Sequence, residues 1–146
     1  MVFPPVHPFS GIEGAVEDLG DLEFLRDKQL AGDLVSATGI VTTASPVTIV
    51  SIIPAVGKTF FIAKSNVVQT TEGSGVQTGV ASLQNDGTIK DTRRARMLDV
   101  ETVNLPGTIA SDSLVGDGAK EYRMQKTTGL AIVHMSATIL GWIQDT

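Results

Sequence analysis

The sequence predicts an all-β protein: an antiparallel, jelly-roll-like β-sandwich preceded by an extended N-terminal arm. Three observations carry this reading. Runs of β-branched and aromatic residues recur after Gly39, as in VTIVSII and TFFIAK. Gly, Pro, Asn and Asp punctuate those runs at short intervals. Helical spacing of apolar residues is confined to the segment before Gly39. The boundary expected from this change of character divides the chain into an arm, residues 1–39, and a sandwich, residues 40–146.

The arm opens with MVFPPVHPFSG, in which the prolines stiffen the backbone. An acidic stretch follows, with Val16, Leu19, Leu22, Leu25 and Leu30 at roughly helical spacing. Asp18 is placed to cap a helix and Lys28 to complement its C-terminal dipole, while Gly20 weakens it. The reading is one short amphipathic helix or a loosely ordered extension. In the body, VTIVSII and TFFIAK read as successive strands joined through Pro-Ala-Val-Gly. VQTGVASL alternates in character and ends at Asn85-Asp86-Gly87, the composition of a tight hairpin turn, from which TIKDTRRARML returns. VETVN precedes Pro106-Gly107, Asp117-Gly118 marks a turn before AKEYRMQ, and LAIVHMSATILGWI is a long strand. Its two faces carry Ala131, Val133, Met135, Ala137 and Ile139 against Leu130, Ile132, His134, Ser136, Thr138, Leu140 and Trp142, both partly apolar, so a central or doubly covered position is expected. The count is about six to eight short strands, the pattern of a sandwich or jelly roll. No fixed-period repeat is present.

Bulk properties narrow the function. The 146 residues are the size of one domain, 42% hydrophobic and 18% charged, more apolar than an ordinary solvated surface needs. The net charge of -5 supplies no basic field for nucleic acid. With no cysteine, disulfides, thiolate nucleophiles and cysteine-based zinc sites drop out. The longest apolar run is interrupted by His134, Ser136, Thr138 and Gly141 and reads as a strand rather than a membrane span. The N-terminus lacks the basic region of a signal peptide, so use in a cytoplasm, or in particles assembled there, is expected.

Gly57-Lys58-Thr59 spells the end of a phosphate-binding loop, but Ile52 stands where the first glycine belongs and a strand, not a helix, follows. Only His7 and His134 are available as bases, one between prolines and one within a strand; His134 gains interest only where a trimer axis gathers three copies. The acids Glu17, Asp18, Asp21 and Glu23 fit a solvated face or an arm complementary to a basic partner better than a glycosidase pair. Asp112, Asp117 and Glu121 fail calcium-hand spacing, which leaves a looser oxygen-lined ion site in that loop as the alternative. No catalytic, cofactor or metal residue is therefore assigned. In DTRRARMLD, Arg94 and Arg96 share a strand face that Arg93 leaves, and the set suits salt bridges across strands or between subunits.

The strand core, with PAVGKTFFIAKSN, NDGTIKDTRRARML and ATILGWI, resembles the small β-sandwich decoration, or cement, proteins of tailed-bacteriophage capsids. The resemblance spans approximately residues 47–142 and is one of style, since the class has no diagnostic short motif. It implies a non-enzymatic virion protein on the capsid exterior, a homotrimer or dimer that contacts the major capsid protein and binds neither nucleic acid nor membrane. The expected interaction residues are Val2, Phe3, Pro4, Pro5, Val6 and Phe9 in the arm, with Arg93, Arg94 and Arg96 on the body. The alternative is a tail-fibre, spike or carbohydrate-binding module, for which Trp142, Tyr122 and the five phenylalanines offer few sugar-stacking rings.

Overall fold

A computed structural model describes residues 23–24, 26–28, 30–107 and 112–146. Two compact units are distinguished, residues 1–34 and 35–146. In the first, the described residues from 23 to 30 are helical, and the Lys28 ammonium lies 5.5 Å from the centroid of the Phe24 ring. The helix ends with Ala31 N–H donating to Asp27 O at 3.0 Å and Asp33 N–H to Lys28 O at 2.9 Å, bonds that satisfy its terminal carbonyls.

The β structure comprises β1 (Leu34–Val41), β2 (Val47–Ile52), β3 (Lys58–Thr71), β4 (Val76–Asn85), β5 (Thr88–Leu98), β6 (Glu101–Gly107), β7 (Ser113–Val115), β8 (Tyr122–Thr128) and β9 (Val133–Asp145). One sheet has the order β1-β9-β3-β6, with β7 also pairing with β3, and the other has the order β2-β8-β4-β5. Set β7 aside, and the remaining strands nest as pairs, β1 with β9, β2 with β8, β3 with β6 and β4 with β5. That is one long ribbon of paired strands rolled so that alternate pairs fall in opposite sheets, the jelly-roll arrangement. The expected all-β antiparallel sandwich is thus observed.

The strands follow their residues. β3 alternates Val67, Gln69 and Thr71 inward with Asn66, Val68 and Thr70 on the half-buried outer side. In β9, Val133, Met135, Ala137 and Ile139 point into the core, a choice between two partly apolar faces that the sequence pattern left open; Ala131, expected on the same face, lies in the exposed turn before the strand, and the strand itself lies between β1 and β3. The β4–β5 hairpin turns at Asp86 and Gly87, with φ of 47° and 85°, both positive as a two-residue type I′ turn requires, and Asn85 pairs with Thr88.

Three features go beyond what the sequence pattern specifies. β1 begins at Leu34 and runs through Gly39, because Val35, Ala37 and Val41 place an alternating apolar edge against the core. β2 and β3, adjacent in sequence, lie in different sheets. β7 raises the strand number among the described residues to nine by pairing Leu114 with Phe60.

The core between the sheets joins Phe60, Ile62, Val67 and Ile139 to Val50, Leu83, Met97 and Met124. Phe60 and Tyr122 meet edge-on, centroids 5.5 Å apart at 65°. Along one side the interior is polar: Ser65, Gln69 and Arg93 are all buried. This side is where β5 and β6, the outer strands of opposite sheets, face one another.

Candidate functional site

The arginine cluster separates by strand parity. Arg93 shares the inward side of β5 with Ala95 and Met97, whereas Arg94 and Arg96 are exposed on the outer side. Arg93 crosses the sandwich: Nη2 donates to Ser65 Oγ at 2.6 Å, Nη1 to Leu105 O at 3.2 Å and Nε to Asp91 Oδ2 at 3.0 Å. Its guanidinium is spent on joining the two sheets and is not available at the surface. Gly107 makes room for it, since a Cβ there would lie 2.3 Å from Nη2.

On the outer side, Arg96 is opposite Thr78, Arg94 opposite Val80 and Leu98 opposite Val76. Val76 and Leu98 are 48% and 60% exposed, and Val100 follows at 77%. Arg94 and Arg96 form no ion pair among the described residues. Apolar side chains and arginines therefore share one strip along β4 and the edge strand β5, a composition found at protein interfaces. Val2, Phe3, Pro4, Pro5, Val6 and Phe9, expected as arm anchors, lie outside the described residues.

The motif candidates resolve into structural roles. Lys58 N–H donates to Ala55 O at 3.1 Å, closing a turn in which Gly57 has φ 81°, and the chain continues as β3. Lys58 Nζ binds Asp145 Oδ1 at 2.5 Å, which holds the Asp145 carboxyl below its usual range. Asp117 accepts from the backbone N–H of Ala119 and Lys120 and is lowered for that reason. Asp112 accepts from Tyr122 Oη at 2.5 Å and lies 3.6 Å from Lys90 Nζ. Asn85 Nδ2 donates to Ser113 O at 2.8 Å beside it. His134 Nδ1 is 3.7 Å from Glu72 Oε1 at the opposite end of the strands. Among the described residues, no group of three or more His, Asp or Glu side chains is arranged to hold a metal, and no helix is long and apolar enough to cross a membrane.

Two features were not foreseen from the sequence. Lys126 has no exposed surface, and its ammonium donates to Thr43 O at 2.7 Å, Leu130 O at 2.8 Å and Val133 O. All three N–H bonds are thereby used, tying the β1–β2 and β8–β9 connections together while burial lowers the lysine pKa. The alternation of β8 was the available signal, since Lys126 shares the inward parity of Tyr122 and Met124.

The second feature is a groove of about 580 Å3 on the outer side of the β1-β9-β3-β6 sheet, lined by Ser36, Thr138, Leu140, Lys64, Asn66 and Asn104, with Pro106 and Gly107 at its end. A register shift between Ile62 and Lys64 bends β3 at this point. Two residues along β9 from Leu140, Trp142 stacks on Phe61 with centroids 5.5 Å apart and planes 6° from parallel.

Fold and surfaces together define a jelly-roll sandwich with an interface-like strip on one sheet and a polar groove on the other. Compared with known proteins, the chain matches no family model, no curated protein and no solved structure.

Proposed function

We propose that the chain is a virion structural protein, a capsid decoration subunit that bridges neighbouring capsomers and stabilises the shell. The observation that carries this reading is the β4–β5 strip, where Val76, Leu98 and Val100 are exposed beside Arg94 and Arg96. Apolar contacts supply most of an interface's free energy. The arginines orient the partner through bidentate pairing with carboxylates, each exposed pair adding only about 0.2–1 kcal/mol.

A rigid body supports the same reading. Arg93 joins one sheet to the other and Lys126 joins two connections, so load applied to the strip passes into the sandwich instead of bending its edge. The segment before β1 is the second attachment point, reaching the major capsid protein or a neighbouring subunit with Val2, Phe3, Pro4, Pro5, Val6 and Phe9. A subunit already bound through its strip presents that segment at high effective concentration, so weak contacts suffice across a seam. Self-association as a trimer or dimer multiplies the attachment points in the same way.

The test is cosedimentation with empty shells assembled from the major capsid protein of the same virus. The full chain should bind saturably, Arg94→Glu with Arg96→Glu should weaken binding at least about tenfold, and a chain starting at Leu34 should detach at dilutions where the full chain holds. A full chain that ignores the shells, or a double variant that binds as well as the parent, would overturn the reading.

A further inference from the structure

We infer that the groove on the β1-β9-β3-β6 sheet is a binding site for a glycan segment, with a preference for sugars bearing a carboxylate. The inference stands on the groove alone and does not depend on attachment to a shell.

The lining has the chemistry of hydroxyl recognition. Asn66 and Asn104 each offer an amide with both donor and acceptor capacity, and Ser36 and Thr138 add hydroxyls. These groups come from all four successive strands, so at the ordinary strand spacing they extend over about 14 Å across the sheet. That array suits an extended chain of sugar rings lying across the strands. Leu140 and Pro106 supply apolar surface between the polar groups, which suits the C–H faces of a sugar ring.

Asn66 carries the most specific indication. Its Oδ1 is shut off from solvent and accepts no hydrogen bond, in a residue whose neighbours across the sheet are Thr138 on β9 and Pro106 on β6. Proline has no N–H to donate, and the Thr138 hydroxyl is already engaged with Thr38 Oγ1 at 3.0 Å. An amide oxygen left in this state is disfavoured. Rotation about χ2, which is soft in asparagine, turns it toward a hydroxyl donor in the groove.

Charge sets the preference within the class. The lining contains one cation, the exposed Lys64, and no carboxylate, although acids outnumber bases in the whole chain. Lys64 forms no ion pair among the described residues, leaving its ammonium to meet a carboxylate of the ligand. A neutral trisaccharide satisfies the amides and hydroxyls; a uronic acid oligomer satisfies the lysine as well.

The experiment titrates the full chain with maltotriose, chitotriose and trigalacturonate, reading the fluorescence of Trp142, the single tryptophan, and the side-chain amide resonances of Asn66 and Asn104. Saturable binding of trigalacturonate is expected, at least about tenfold tighter than the neutral sugars. Asn104→Ala and Asn66→Ala should each weaken it, the latter without lowering the thermal midpoint because the parent oxygen has no partner to lose. Lys64→Gln should erase the preference for the acidic sugar while keeping residual binding. Thr92→Ala, on the opposite sheet, should change nothing. No saturable response to any of the three sugars at up to about 10 mM, or binding indifferent to both asparagine variants, overturns the inference.

Discussion

Two buried polar side chains show how single residues hold this sandwich. Lys126 → Met keeps the apolar stem but leaves three carbonyl acceptors without their donor, and the expected loss is about 2–4 kcal/mol, read from the denaturant midpoint. Tyr122 permits a cleaner test because it is the single tyrosine. Burial first, and then its hydrogen bond to the Asp112 carboxylate, raise the phenol far above its ordinary pKa of 10.0. The folded chain keeps that proton where the unfolded chain sheds it. Stability linked to Tyr122 is therefore fully present below pH 10.0 and declines as pH rises above it. An alkaline titration should show no tyrosinate absorbance until the protein unfolds, and a native-state transition near the ordinary pKa would contradict the Tyr122–Asp112 contact. The inward parity of both side chains is legible in β8, but the Asp112 partner of Tyr122 and the carbonyl partners of Lys126 are set by how the connections pack against that strand.

Elements were legible where local chemistry decides them. The hairpin at Asp86-Gly87 could be read from three letters, since few residues accept two successive positive φ angles. Gly87→Ala should cost about 1 kcal/mol through backbone strain and leave the register intact, as thermal unfolding and amide exchange of β4 and β5 would report. Gly107 tests a different cause. Gly107→Ala forces a methyl group against the Arg93 guanidinium, and a loss of about 1–3 kcal/mol is expected from overpacking. If the loss is due to that displacement, combining Gly107→Ala with Arg93→Met should give less than the sum of the single losses. β1 was not legible: LVSATGIV follows helical backbone and contains glycine, and only the neighbouring β9 makes its apolar parity useful.

For the whole molecule, the rolled ribbon predicts that the segment before Leu34 can be removed without unfolding the sandwich. Among the described residues every strand pair lies within residues 34–146, and the second compact unit begins at Val35. A chain starting at Leu34 should retain a cooperative thermal transition, whereas one starting after Gly39 loses most of β1 and should unfold at least several degrees lower, because β9 then loses a hydrogen-bonded neighbour. The sequence by itself determined the β character, the hairpin turn at Asp86-Gly87 and the opposite faces of Arg93 and Arg94, all consequences of period-two alternation and turn stereochemistry; it separated the two faces of β9 without saying which is inward. Beyond the β4–β5 hairpin, only tertiary structure decided which strands are neighbours, and with that the Arg93 cross-link, the Lys126 carbonyl cage and the union of Ser36, Asn66, Asn104 and Thr138 in one groove. The physical reason is that alternation assigns a side chain to a face but contains no term for which distant strand will lie beside it; that choice is made by packing the two sheets around a single core.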